Sequence, residues 1–299
     1  MKRTFIILLG CCLGLNSCYE LDLNPLSQAS SENWYSNETE IEMSIKDFYR
    51  DAFWPLDNED KTDNFIYRET PSEIIKGTFN GQSGDVTTLW ANQYKSIART
   101  NTILSNMDKA ADMGISEEKI KRYEAEALFQ RASCYARLVT YFGDVVYVTS
   151  VVAIEEAFTL GRTPKSEIVP KIYEDYDKAA EGLPEKYTGV SSLRATKGAA
   201  LALKARFALY MGDWEIAADA AKKCMDLGLY KLHADDAELF VTTTKNSEES
   251  IFLLPRSIEY KVTLGNWTVM NEVSRNPGGW GACAPSWDLL AAYECTDGL

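Results

Sequence analysis

The sequence of 299 residues has a single histidine, His233, set beside Leu232 and Ala234. A histidine-based triad would have one candidate base, and no G-x-S-x-G nucleophile motif accompanies it. CxxC spacing is absent, so zinc chemistry has no framework here. Basic charge is scarce: 31 Lys and Arg stand against 44 Asp and Glu, a formal net charge of −13. That balance excludes nucleic acid as a natural partner and disfavours broad contact with anionic headgroups. Acidic pairs suited to glycoside hydrolysis occur by chance among so many carboxylates, and sequence does not give their separation. The expectation is a protein that is not an enzyme and takes no cofactor or metal.

Long apolar runs are also missing. Lys2 and Arg3 precede the run Phe5 to Leu15, whose 11 residues are too few to cross a bilayer as a helix. Residues 1–17 therefore read as a secretory signal. LNSC, ending at Cys18, resembles the lipobox of bacterial lipoproteins, in which the cysteine is acylated. LLGC, ending at Cys11, competes but leaves a shorter apolar stretch. Removing residues 1–17 takes away Lys2 and Arg3 and leaves a charge of −15 on 18–299. Attachment then rests on acyl chains such as palmitate. Cys134 and Cys224 lie on apolar helical stripes and read as buried thiols, whereas Cys283 and Cys295 are free to pair in an oxidising compartment.

What the chain has in quantity is helical periodicity. Ala195 to Met211 is apolar or small at almost every position except Lys197 and Lys204, the pattern of an inner helix. After Gly212 and Asp213, the residues Trp214, Ala217, Ala218, Ala221, Cys224 and Met225 repeat at one-face spacing. Asp213 is placed to cap this second helix. These are the marks of a tetratricopeptide hairpin. YFGD at Tyr141 to Asp144 matches the second turn, and Gly143 and Gly212 lie 69 residues apart, two periods of about 34. Helical hairpins are thus expected over about 116–227, with helices from Ser116 to Phe142 and from Lys165 to Glu181, the latter begun by Ser166 and Glu167.

Elsewhere, helices are expected over Glu38 to Phe53, Val86 to Met107 and Pro285 to Tyr293. Asn101 sits within an apolar face, where it should tie helices together. DVVYVTSVVAIEE and ESIFLLP read as strand-like. Long irregular segments fill 56–88 and 255–285. The fold class is mainly α, with tetratricopeptide-like hairpins, long irregular loops and a few short strands.

Six stretches in order resemble the SusD/RagB family of surface nutrient-binding lipoproteins. They are the lipobox with LDLNP, W-x-x-x-Y-x-x-I-x-R-x-N (Trp90 to Asn101), EALFQRASCYARLVTYFGDVV, RTPKSEI, RATKGAALALKARFALYMGDW and EESIF. The resemblance implies a lipoprotein anchored at Cys18, facing the cell exterior from the outer membrane. It further implies capture of oligosaccharide or polysaccharide and delivery to a SusC-like TonB-dependent transporter. Family members run past the equivalent of CTDGL, so the resemblance also implies a shortened chain. It transfers no ligand residue.

Sugar rings have apolar faces and hydroxyl rims, which call for exposed aromatic platforms beside polar donors and acceptors. Phe65, Tyr67, Arg68 and Asn80 offer this mixture in one loop-rich segment, and Asn266, Trp267 and Trp280 offer it in the other. Folding of each aromatic back onto the core is the competing reading. A peptide- or protein-binding tetratricopeptide groove lined by Lys197, Lys204 and Arg206, or a peptide-import lipoprotein, is the alternative function.

Overall fold

Asn37 begins the first helix, α1 (Glu38–Lys46), by accepting the Glu40 N–H on its side-chain oxygen at 3.1 Å. The computed structural model describes residues 34–55, 62–68, 70–187, 194–239, 241, 247–254, 271 and 273–293. Ile41 and Ile45 are buried on α1, and a 3₁₀ turn over Asp47–Tyr49 buries Phe48. The helix does not reach Phe53 as expected. Arg50 is extended, and the chain turns there to send Phe53 and Trp54 into the core, where Trp54 Nε1 donates to the Phe48 carbonyl at 2.9 Å.

The remaining elements are β1 (Phe65–Tyr67), α2 (Glu73–Lys76), α3 (Gly84–Leu104), α4 (Met107–Asp112), α5 (Glu117–Phe142), α6 (Ile154–Ala157), α7 (Lys165–Gly182), α8 (Lys197–Met211), α9 (Trp214–Asp226), α10 (Asp236–Leu239), β2 (Cys283–Pro285) and α11 (Trp287–Ala292). Ser116, Thr196 and Ser286 cap α5, α8 and α11 through side-chain oxygens. Helices α3, α5, α7, α8 and α9 pack in succession, each against the next. Their shared core includes Phe129, Tyr135, Leu138, Ile168, Ile172, Tyr176, Ala199 and Phe207. Cys134 and Cys224 are buried in it, as their helical positions predicted.

Both expected hairpins form. Gly143 and Gly212 end α5 and α8 with φ of 69° and 81°, which a side chain rarely tolerates. The two Gly-Asp turns use their aspartates differently. Asp144 Oδ1 accepts the Lys165 N–H at 2.8 Å, capping α7 from across the intervening segment. Pro164 occupies the N-cap position, so Ser166 and Glu167 lie inside the helix. Asp213 instead accepts from the Tyr173 hydroxyl at 2.6 Å and makes no side-chain cap to α9, contrary to the expectation.

The two strand-like readings also differ from the structure. Residues 145–153 form one isolated bridge, Val145 to Thr163, before α6. Side chains replace a strand partner: the Tyr94 hydroxyl donates to the Val146 carbonyl at 2.8 Å, and the Tyr135 hydroxyl donates to the Val148 carbonyl at 2.9 Å. Asn101 Nδ2 donates to the Val148 and Ser150 carbonyls and its Oδ1 accepts from Arg131, so this buried amide binds α3 to α5 and to the excursion. Residues 251–254 are irregular, and Phe252 is fixed by rings, lying 4.9 Å from Trp54 and 5.4 Å from Phe129. Pro285 belongs to β2 rather than to the helix after it.

Polar groups lock the same core. Arg131 meets Asp175 through two hydrogen bonds of 2.7 and 2.8 Å, both residues buried. Glu126, also buried, accepts from Tyr49 at 2.7 Å and from Arg194 at 3.1 Å, while Glu42 accepts from Arg122, Arg194 and Tyr123. This cluster ties α1, α5 and the entry to α8 together.

Candidate glycan-binding surface

β1 and β2 form an antiparallel pair with Phe65 opposite Pro285, Ile66 opposite Ala284 and Tyr67 opposite Cys283. Backbone bonds extend the ribbon at both ends: Arg68 N–H reaches the Ala282 carbonyl at 2.7 Å, and Ser286 N–H reaches the Asn64 carbonyl at 2.7 Å. A two-residue-period ribbon puts Phe65 and Tyr67 on one side, half-buried, and Ile66 on the other, exposed. Beyond the strand, the Arg68 Nη1 donates to the Trp280 carbonyl at 3.1 Å, and Arg275 Nε approaches the same oxygen at 3.4 Å.

Glycines shape the loop that presents Trp280. Gly279 comes so close to the Val273 backbone that a Cβ there would lie 2.0 Å from its carbonyl oxygen, and Gly278 adopts φ of 98°. The N–H groups of Gly278, Gly279 and Gly281 bond back to Arg275, Ser274 and Val273. The result is a tight fold-back that leaves Trp280 40 % exposed.

Of the residues chosen from sequence, Phe65, Tyr67, Arg68 and Trp280 are brought together by this ribbon. Asn80 is exposed, but its amide builds a turn: Oδ1 accepts from Gln82 N–H at 2.9 Å and Nδ2 donates to the Thr78 carbonyl at 3.3 Å. It thereby sets the entry to α3. Cys18, Asn266, Trp267 and Cys295 lie outside the described residues. Sequence reasoning passed over Trp287, Leu290 and Tyr293, exposed at i, i+3 and i+6 directly after β2; Trp287 is 80 % exposed. A W-x-x-L-x-x-Y stripe behind a capping serine reads as a core-facing helix, so pattern alone hides its exposure.

The surface is open, and its chemistry is aromatic faces beside guanidinium donors. Such an arrangement binds neutral, hydroxyl-rich molecules by stacking and hydrogen bonding. A groove of about 350 Å³ between α3 and the 146–160 segment is lined mainly by apolar groups, among them Trp90, Ile97, Val151 and Leu160. The basic residues considered for a peptide groove are partly engaged: Lys204 is buried and pairs with Asp177 at 2.7 Å, and Lys197 lies 3.8 Å from Glu185. The lone histidine is half-buried and its Nδ1 faces the Asp235 carbonyl at 2.7 Å, with no nucleophile bonded to it among the described residues.

Residues 24–209 match the family described as "Starch-binding associating with outer membrane", SusD-like. The chain belongs to the SusD-like family. It is 29 % identical over 236 residues to SusD-like protein P2 of Formosa agariphila, an alignment covering 74 % of this chain and 45 % of that protein. Its fold is similar to a SusD-like protein of Bacteroides fragilis, with TM-score 0.75, 27 % identity, and coverage of 92 % of this chain and 56 % of that one. A second structure from Bacteroides fragilis, a SusD-like carbohydrate binding protein, superposes with TM-score 0.76 at 26 % identity, covering 89 % and 55 %. The chain spans about half the length of the curated relatives it matches. In this chain the stacked helices form the core, and the ribbon joins two segments remote in sequence.

Proposed function

We propose that this SusD-like chain is part of a cell-surface glycan-binding lipoprotein, anchored at Cys18, that captures oligosaccharide or polysaccharide and passes it to a SusC-like TonB-dependent transporter in the outer membrane. The observation that carries the reading is the joining of Phe65, Tyr67 and Arg68 to Trp280 across the β1–β2 ribbon. The ribbon joins two aromatic stretches that are far apart in sequence, which supports reading them as one platform. The similarity to a carbohydrate binding protein of the same fold supports a sugar as ligand. Binding is expected to be reversible and to need no chemistry: ring faces stack, and Arg68 and backbone groups meet hydroxyls. Asn266 and Trp267 are proposed to extend this surface.

The test is electrophoretic retention of the soluble chain beginning after Cys18 on gels containing plant, host and microbial polysaccharides, with thermal unfolding recorded in parallel. Retardation by one glycan class, relieved by Trp280→Ala in a protein that still unfolds cooperatively, supports the reading. A folded protein slowed by no glycan overturns it for this chain, and peptide ligands become the next to try.

A further inference from the structure

The two hairpins repeat more than their glycines. ARLVTYFGD at 136–144 and ARFALYMGD at 205–213 align so that Arg137 and Arg206, and Tyr141 and Tyr210, each lie 69 residues apart. In both helices the arginine and tyrosine are four residues apart and share a face. Both pairs line one cleft of about 110 Å³, which Trp54 and Tyr176 also line. Burial pushes the Tyr176 hydroxyl up to about 12, and its bond to Ser133 and the nearby guanidinium groups of Arg137 and Arg206 oppose that shift.

The cleft's two arginines have no carboxylate partner among the described residues, unlike several cations elsewhere. Arg99, Arg122, Arg131, Arg194 and Lys204 all pair with carboxylates. Among the described residues Arg137 meets only neutral groups, the Phe53 carbonyl at 3.1 Å, Gln93 Oε1 at 3.4 Å and the Trp54 ring at 5.5 Å. Arg206 is exposed and has neither a hydrogen bond nor an ion pair among the described residues. Attraction to the helix C-termini accounts for positive charge near each turn. It does not account for two guanidiniums converging on one cleft that lacks an acid.

We propose that this cleft is a docking site for an acidic side chain of a protein partner, received between Arg137 and Arg206. Paired guanidiniums match a carboxylate in charge and geometry. The volume is below the range of about 300–1,000 Å³ typical of whole small-molecule sites and suits one inserted side chain. Tyr141 and Tyr210, which line the cleft, are 58 and 61 % exposed, and Tyr and Arg are among the residues enriched where protein partners bind most strongly. General anion adsorption is opposed by the net charge of −13, so capture here depends on the local pair.

The test titrates the full chain with acetylated tetraglutamate by calorimetry at low salt, with tetraglutamine and tetragalacturonate as parallel ligands. Saturable binding of tetraglutamate is expected, absent for tetraglutamine, weakened near about 0.15 M salt and reduced about tenfold or more by Arg206→Gln. Arg206 has no hydrogen-bond or ion-pair partner among the described residues, so that variant should unfold at the parent temperature; Arg137→Gln and Tyr210→Ala should weaken binding in the same way. Absence of saturation with folded protein, or equal affinity in Arg206→Gln, overturns the proposal. Tighter binding of tetragalacturonate would overturn the assignment to a protein carboxylate.

Discussion

Arg68 donates from Nη1 to the carbonyl oxygen of Trp280 at 3.1 Å, although 212 residues separate them in the chain. Together with the backbone bond from Arg68 to Ala282, it makes the presentation of one aromatic depend on a residue from the other loop. An exposed bond of this kind is worth about 1 kcal/mol or less to global stability, so Arg68→Ala should lower the melting temperature by no more than about 2–4 °C. The local effect is larger. Proteolysis within 273–282 should accelerate and glycan retention should fall, whereas Trp280→Ala should weaken retention by about five- to tenfold with unchanged proteolysis elsewhere. If Arg68→Ala leaves both retention and loop cleavage unaltered, the ribbon does not position the platform.

The buried Arg131–Asp175 pair joins α5 to α7 by two short bonds and carries Asn101 with it. Removing one partner leaves a charge without water or a counter-ion. Asp175→Ala or Arg131→Ala should therefore cost about 3–5 kcal/mol in urea unfolding. Replacing both by apolar residues of similar volume should cost less than either single change. Additive losses would show that the two residues stabilise the hairpin independently.

In the neighbouring cluster two carboxylates shift in opposite directions. Burial pushes Glu42 up, but the Tyr123 hydroxyl and the Arg194 guanidinium outweigh it and hold the group below its usual value. Its contribution is present above the unfolded carboxylate range and is lost as pH falls through the lower folded value. For Glu126 burial dominates and raises the group, with Arg194 opposing it. The stabilisation associated with its protonation is full below the unfolded range and is lost as pH rises through the folded value. Arg194→Met removes a counter-charge that buried Glu126 requires when ionised, so it should destabilise more at about pH 7.5 than at about pH 5. A cost that is the same at both values would contradict this pairing.

The stacked helices were legible because their signals are local: an apolar stripe, a serine or threonine at the start, and glycine at a left-handed end. Ser116, Gly143, Thr196 and Gly212 all took those roles. The strand-like reading of 144–156 failed where apolar, β-branched sequence meets side-chain rather than backbone partners, as with Tyr94, Tyr135 and Asn101, and that of 249–255 failed over its described residues 249–254, where rings hold Phe252. Asp213 had the sequence of a cap and was claimed by Tyr173, a residue 40 positions earlier. The pairing of the ribbon was not legible, because no local pattern announces that Tyr67 will face Cys283.

Gly198 supplies a last case in which a helix position is fixed by a distant side chain. It lies in the first turn of α8, and a Cβ built there would come within 2.1 Å of the Tyr230 hydroxyl. Tyr230 also shares a 3.3 Å hydrogen bond with Thr196, the cap of the same helix. Taken alone, Gly198→Ala should stabilise a helix by up to about 1 kcal/mol, since alanine restricts the unfolded chain. The clash opposes that gain, because moving the ring breaks the bond at the cap and disturbs packing, at about 1–3 kcal/mol. The sign should thus depend on Tyr230. Gly198→Ala should destabilise the parent protein and should be neutral or stabilising in a Tyr230→Ala background, as read from urea midpoints at constant slope. The same cost in both backgrounds would mean that glycine is required by something other than the tyrosine lying across the helix.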